Sequence, residues 1–352
     1  MSNLDQRSLS ILLSLVKLFI ASGKPVPSRA LAIIHNLSPA SIRISLAYLQ
    51  KLGLLTHPHH SAGRIPTDKA YRIYADSIIK QAKLSKKDEL TINRSLLGSK
   101  PTSIADFMER TSQLLSQLSG NVGIVIPPSP AQDILQHVEF IKLTEGKILV
   151  ITVSQSGIVR DRVIHLDTHF TQDELHKTAR FLLDNFKGLT IQQIRDSVLK
   201  RLAEEKNLYD RLLQNTLLLC NDALQAQTDK PEVYVEGTST ILSKPDFIDN
   251  TQKLRELFKI YEEKEKLLKL LNEYLKEPTT AGVCIRIGSE NSIPTMHSCT
   301  IITSPYSYGK NAFGGVGIVG PTRLEYPRLI TIVNYIARIF ERVLNDTSNF
   351  TE

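Results

Sequence analysis

The first seventy residues of the chain are punctuated at such short intervals that they can hold only short helices and a small hairpin. An apolar stripe predicts a first helix over residues 4–21, stopped by Gly23-Lys24-Pro25. Pro27-Ser28 opens a short second helix through His35. In Asn36-Leu37-Ser38-Pro39, Ser38 is a preferred N-cap and Pro39 suits the first helical position, so a third helix starts there and runs to about Leu52. Gly53 ends it. Leu54-Leu55-Thr56 then reads as a strand, His57 to Gly63 as a turn-rich tip and Arg64-Ile65-Pro66 as a returning strand, before Thr67 caps a helix through about Lys83. Three helices, a strand, a polar tip and a second strand is the order of a winged helix-turn-helix, whose third helix enters the major groove and whose tip is the wing.

Charge points to the same segment. Residues 1–100 hold fifteen Lys and Arg against five Asp and Glu, a net of +10, whereas residues 101–352 hold 28 against 31, a net of −3. A local basic excess is the footprint of a module that meets a polyanion, either nucleic acid or an anionic membrane surface. Arg7, the apolar run Leu9 to Ile20 and Ala21-Ser22-Gly23 have the outline of a secretory signal. Ser10, Ser14 and Lys17 nevertheless share one helical stripe, and a lysine is unfavourable inside a signal's apolar core, so an amphipathic helix is expected. No later stretch reaches the ~18–20 uninterrupted apolar residues of a membrane span. Cys220, Cys284 and Cys299 show no C-x-x-C spacing and leave an odd thiol, which fits a reducing cytoplasm and neither a disulfide framework nor a zinc site.

Beyond the first module, residues 83–100 are polar and read as a linker, with a domain boundary near residue 100. Helix is expected over 104–118, and Asn121 to Pro128 begins a β-rich stretch. Ile148 to Val153 and Ile158 to Leu166 read as a hairpin about Ser154-Gln155-Ser156-Gly157. Helical periodicity runs from Thr171 to Ala226, and a brief strand follows at Val233-Tyr234-Val235. A charged helix carries Leu254, Phe258, Tyr261, Leu268, Leu271 and Leu275 on one side. Strands return at Val283 to Ile287, Ser298 to Thr303 and Val316 to Val319, closed by a helix over 325–345. The order predicts an α+β multidomain chain: a winged-helix unit with its linker over 1–100, then an α/β sensor-type domain in two parts, 101–169 and 231–352, interrupted by a mainly helical insertion over 170–230.

The candidate site lies on the third helix. At 100° per residue, Ile42, Leu46 and Leu49 fall inward, while Ala40, Ser41, Arg43, Ile44, Ala47, Tyr48 and Lys51 face outward. Arg43 can fork onto a guanine, Ser41 and Tyr48 can hold phosphates, and Ile44 can meet a thymine methyl. In the tip, His59, His60 and Ser61 are candidates for phosphate and Arg64 for the minor groove. Lys51, Lys69 and Arg72 add phosphate contacts, and Ser38 caps the helix. A metal at the tip histidines is not expected, because no Cys, Asp or Glu lies nearby. Gly315-Val316-Gly317-Ile318-Val319-Gly320 matches G-x-G-x-x-G by letter but is itself a strand followed by Pro321, so nucleotide binding is not expected. No catalytic spacing and no cofactor motif is found, and the chain is not expected to be an enzyme.

Ser38-Pro39-Ala40-Ser41-Ile42-Arg43, Gly53-Leu54-Leu55 and, most distinctively, Pro58-His59-His60-Ser61-Ala62-Gly63-Arg64-Ile65-Pro66-Thr67-Asp68-Lys69-Ala70-Tyr71-Arg72 resemble the HrcA family of heat-inducible transcription repressors. Gly237-Thr238-Ser239, Ile287-Gly288-Ser289-Glu290-Asn291, Ser304-Pro305-Tyr306 and Gly317-Ile318-Val319-Gly320-Pro321-Thr322-Arg323 are similar to later blocks of that family. The chain departs from the family pattern at Ile44-Ser45, His60 and Ala70. The resemblance implies a GAF-like α/β domain and an inserted dimerisation domain. It further implies a cytoplasmic homodimer on an inverted-repeat operator before chaperone genes, kept active by the GroEL chaperonin. A two-fold dimer would bury an apolar stripe of the insertion, with Leu212, Leu213, Leu217 and Leu218 as candidates. The alternative is a ligand-gated regulator whose GAF-like domain holds a small molecule.

Overall fold

The computed structural model describes the chain apart from residues 1–3, 59–62, 99, 102, 128–133, 145, 155–158, 167, 191–192, 195, 199, 201–215, 217–218, 220–232, 243–263, 276–279, 309–311 and 346–352. The N-terminal unit follows the expected order. α1 (Gln6–Ser22) starts where Asp5 accepts from the Ser8 amide and stops at Gly23, left-handed at φ 66°, whose amide closes on the Phe19 carbonyl. α2 (Ser28–His35) and α3 (Pro39–Lys51) turn through Asn36, left-handed at φ 50°. β1 (Leu55–Thr56) pairs antiparallel with β2 (Ile65–Pro66), and α4 (Asp68–Ile78) follows. Ile11, Leu12, Leu15 and Val16 of α1 pack in one core with Leu31, Ile42, Leu46 and Leu49. The apolar run near the N-terminus is therefore core of this unit.

Two expectations change here. Thr67 occupies the N-cap position of α4 but makes no side-chain bond to that helix. Its hydroxyl donates instead to the Gly53 and Leu54 carbonyls, at 2.9 and 3.0 Å, and the helix ends at Ile78 rather than near Lys83. Residues expected as linker form α5 (Lys86–Leu97), capped by Ser85 through the Asp88 amide. Its inward edge is only Ile92, Leu96 and the Asp88 carboxylate, too narrow a stripe to read from periodicity.

The second unit is a five-stranded antiparallel sheet in the order β7-β3-β10-β9-β8, built from β3 (Val122–Ile126), β7 (Tyr234–Glu236), β8 (Cys284–Ile287), β9 (Cys299–Tyr308) and β10 (Ala312–Pro321). α6 (Ile104–Ser119) and the last helix, α10 (Tyr326–Asn345), cover one face, where Phe107 stacks on Phe340 at 4.6 Å between ring centroids. α9 (Lys264–Leu275) covers the other with Leu267, Leu270, Leu271 and Tyr274. Of the charged helix expected there, Leu254, Phe258 and Tyr261 lie outside the described residues. The short α8 (Thr238–Leu242) follows β7. Gly315 to Gly320 lie within β10, hydrogen-bonded between β3 and β9, and a Cβ at Gly317 would stand 2.7 Å from the Ile302 carbonyl oxygen. These glycines serve strand packing.

The sheet's topology defines an interposed segment. β3 and β7 are hydrogen-bonded neighbours, with Ile124 opposite Val235, so the chain leaves the sheet after Ile126 and returns at Tyr234. Within this segment β4 (Leu135–Thr144), β5 (Lys147–Ser154) and β6 (Val159–His165) form a separate three-stranded sheet. It packs on α7 (Gln172–Phe186) around Val138, Phe140, Val150, Leu175 and Phe186, and this core extends to Leu219. The boundary expected at residue 170 falls inside that unit, because β4–β6 and α7 share one core. The interposed segment is thus α/β in its first half, with β4 inside the stretch expected to be β-rich.

Candidate DNA-binding surface

α3 is held so that one side of it must face outward. The Ser38 hydroxyl accepts from the Ser41 amide at 3.1 Å and donates to the Ser41 hydroxyl at 3.0 Å, while Pro39 takes the first turn. Ile42, Leu46 and Leu49 are buried against α1 and α2. A bond of 3.0 Å between His35 Nε2 and the Ser14 hydroxyl ties α2 to α1 beneath them. Arg43, Ile44, Ala47, Tyr48 and Lys51 are exposed, and Ser41 is half-buried. Ile44 is 74% exposed, the price in solvation of an apolar side chain with nothing over it.

The wing stands beside this helix. Leu55 faces Pro66 and Thr56 faces Ile65, and Val26 adds a third edge by exchanging both backbone bonds with Arg64, at 2.9 and 3.0 Å. Gly63 passes so close to that edge that a Cβ would lie 2.5 Å from the Val26 carbonyl, so only glycine fits the root of the tip. Arg64 is half-buried, and its Nε has no hydrogen-bond partner among the described residues. Lys69 is exposed at the start of α4. His59, His60 and Ser61 lie outside the described residues, as do Leu212, Leu213, Leu217 and Leu218.

One expected phosphate contact is corrected. Arg72 points into the joint with the sheet unit: its Nε donates to Glu290 Oε1 at 2.8 Å, its Nη2 bonds Glu290 Oε2 and the Ile285 carbonyl, and Nη1 reaches Asp76 at 3.3 Å. The acidic residues of the N-terminal unit are similarly engaged. Asp5 caps α1 and Asp68 accepts from the Ser289 amide at 2.9 Å, which leaves the exposed Arg43, Lys51 and Lys69 to set the sign of the outer face. Sequence reasoning gave no role to Ile33 and Ile34 of α2, which are 83% and 53% exposed. Their signal was there in an eight-residue helix whose inward positions are already filled by Leu31 and Ala32. Among the described residues no three His, Cys, Asp or Glu side chains are grouped as metal ligands, and no helix is long and apolar enough to cross a membrane.

Residues 3–79 match the winged helix-turn-helix transcription repressor, HrcA DNA-binding family, and residues 105–330 match the HrcA protein C terminal domain. The heat-inducible transcription repressor HrcA of Geobacter sulfurreducens is 38% identical over 98% of this chain and 99% of its own length. The chain belongs to the HrcA family. The proteins of the same name from Thermodesulfovibrio yellowstonii and Syntrophobacter fumaroxidans are 35% and 31% identical over 97% and 98% of this chain, and each is covered over 99% of its length. A crystallised hypothetical protein has the same fold, with a TM-score of 0.62 at 21% identity over 98% of this chain and all of that one. In this HrcA-family chain the DNA-binding match ends at α4, and the C-terminal match spans both sheets.

Proposed function

We propose that the protein is a heat-inducible transcriptional repressor that binds an inverted-repeat operator of chaperone genes as a homodimer. The observation that carries this is the outward face of α3, where Arg43, Ile44, Tyr48 and Lys51 stand together on a capped helix beside a wing. A guanidinium, a methyl-bearing side chain and phosphate donors are the groups that read a major groove. Ser38 and Ser41 stiffen the helix start, Arg64 and Lys69 lie on the wing strand and the following helix, and His59, His60 and Ser61 would add phosphate donors. Gel-shift titration of the unmodified protein against its own chaperone promoters and against scrambled duplexes tests this reading, and equal affinity for the two would reject it.

The segment between β3 and β7 serves as the dimerisation domain in this reading, and the five-stranded unit is the GAF-like domain. Support comes from the face of β4–β6 turned away from α7. Ile141, Leu149 and Val163 lie in one cross-strand row and Val153 and Val159 in another, all half-buried or exposed. Between these rows Ile151 is flanked by the exposed carboxylates of Glu139 and Asp161, so the face is two apolar rows about an acidic one, and the apolar rows favour association over exposure. Leu212, Leu213, Leu217 and Leu218 belong to the same segment and would extend the contact. Both faces of the five-stranded sheet are packed by the chain's own side chains, which favours a repressor over a ligand-gated regulator.

Heat response follows in this account from marginal stability, with the chaperonin returning unfolded repressor to the active pool. Adding chaperonin to an operator titration should then raise the active fraction and leave the affinity of active molecules unchanged. An affinity that moves while the active fraction stays fixed would contradict the chaperonin's part.

A further inference from the structure

Two sets of contacts, one at the end of α1 and one on α4, tie the winged-helix unit to the five-stranded sheet. In the first, the Arg323 guanidinium donates to the Ile20 carbonyl at 3.1 Å, at the end of a helix with no basic residue in its own last turn. The chain then turns through Gly23, where a Cβ would stand 3.3 Å from that guanidinium, and runs to Val26 and its pairing with Arg64. In the second, α4 begins directly after the wing strand β2. There Asp68 accepts from the Ser289 amide, and Arg72 meets the Glu290 carboxylate through two nitrogens. Glu290 also accepts from the Ile287 amide at 2.9 Å, which fixes the turn Gly288–Glu290. Gly288 is left-handed at φ 53°, and a Cβ there would lie 2.2 Å from the Asp68 carboxylate, so the turn is closed tightly on α4. The Tyr326 ring lies 5.9 Å from Tyr71 and 6.3 Å from Tyr74, with its hydroxyl donating to the Thr322 carbonyl at 2.7 Å.

A tether would suffice to deliver a DNA-binding module, and apolar packing alone would tolerate a range of angles. A bidentate pair of partly buried charges is favourable in one geometry only, so this joint fixes an orientation. Because α3 packs on α1, and α1 and α4 are both held, the recognition helix is fixed relative to the sheet.

We propose that Asp68, Arg72, Glu290 and Arg323 are positioning residues for operator recognition: they hold each winged helix at the angle at which both recognition helices of a dimer enter their half-sites together. The proposal rests on the dimeric, inverted-repeat reading above. With the joint loosened, each winged helix still folds and reads a half-site. The second engagement is no longer preorganised, and its effective concentration falls.

The test uses the full-length protein and two duplexes: a palindrome selected by the unmodified protein from random DNA, and the same duplex with one half scrambled. Glu290→Gln and Asp68→Asn should each weaken binding to the palindrome by at least about tenfold while changing the single half-site by less than about twofold. Faster amide exchange at Ser289, with β9 and β10 still protected, identifies an opened joint in a folded molecule. Equal losses on both duplexes, or no loss on either, would overturn the proposal and leave the dimeric reading standing. An unmodified protein that holds the palindrome no tighter than the half-site would overturn the dimeric reading and the proposal with it.

Discussion

Arg43 and Ile44 stand side by side on the outward face of α3, and under the proposed function they would divide the work of recognition by chemistry. A bidentate guanine contact carries about 1–3 kcal/mol of base discrimination, whereas a phosphate contact carries none. Arg43→Ala should therefore flatten the preference for operator over random DNA, and Lys51→Ala should weaken both about equally, as gel-shift titrations with the two duplexes would read. A second residue-scale prediction concerns acid. Asp88 is buried on α5 and receives two nitrogens of Arg328 at 2.9 and 3.1 Å, which hold its carboxyl below the ordinary 3.8 although burial pulls the other way. A depressed folded pKa stabilises above the unfolded value and loses that stability as pH falls through the folded one. Arg328→Met should lower unfolding free energy near neutrality by about 1–3 kcal/mol, a range set by the partly solvated arginine. It should also flatten the decline as the solution is acidified through the ordinary 3.8 toward the lower folded value. Urea unfolding of both proteins across that range measures the difference.

The helices and strands whose reasons are local were legible in the sequence. Ser38-Pro39 starts α3 and Gly23 ends α1 by neighbouring chemistry alone, and Ile42, Leu46 and Leu49 face inward as the helical period requires. Ser38→Ala should cost about 1 kcal/mol by removing the cap, visible as a lower midpoint in thermal unfolding with operator present or absent. What was not legible depends on partners far along the chain. α5 passed for linker because the group that makes its edge stable is Arg328, and Arg72 passed for a phosphate ligand because Glu290 is equally remote. The insertion's start was misplaced for a related reason: β3 looks complete in itself, and only its pairing with β7 shows where the chain departs. Close packing makes a further prediction at this scale. A Cβ at Gly123 of β3 would lie 2.2 Å from the Ser112 carbonyl oxygen of α6, a backbone atom that cannot turn aside. Gly123→Ala should destabilise the sheet unit by about 1–3 kcal/mol, read as a drop in unfolding midpoint.

At the scale of the whole molecule, one core runs from the winged helix through α10 and the sheet, so the DNA-reading face and the sheet unit are joined rather than strung together. Among the described residues, the face of β4–β6 turned away from α7 leaves Val159 and Val163 exposed, at 64% and 41%. Leu149→Glu combined with Val163→Glu should produce monomers in sedimentation velocity while the α7 side of that unit stays folded. An intact dimer would move the interface to another part of the segment. Under the proposed function two copies present two α3 helices to one dyad-symmetric site, and a nuclease footprint on the organism's own chaperone promoters tests this most directly. The expected result is protection of two inverted half-sites whose centres lie about 34 Å or a multiple of it apart, lost with Arg43→Ala. Protection without a dyad, or none at those promoters at concentrations that retard scrambled DNA, would contradict it.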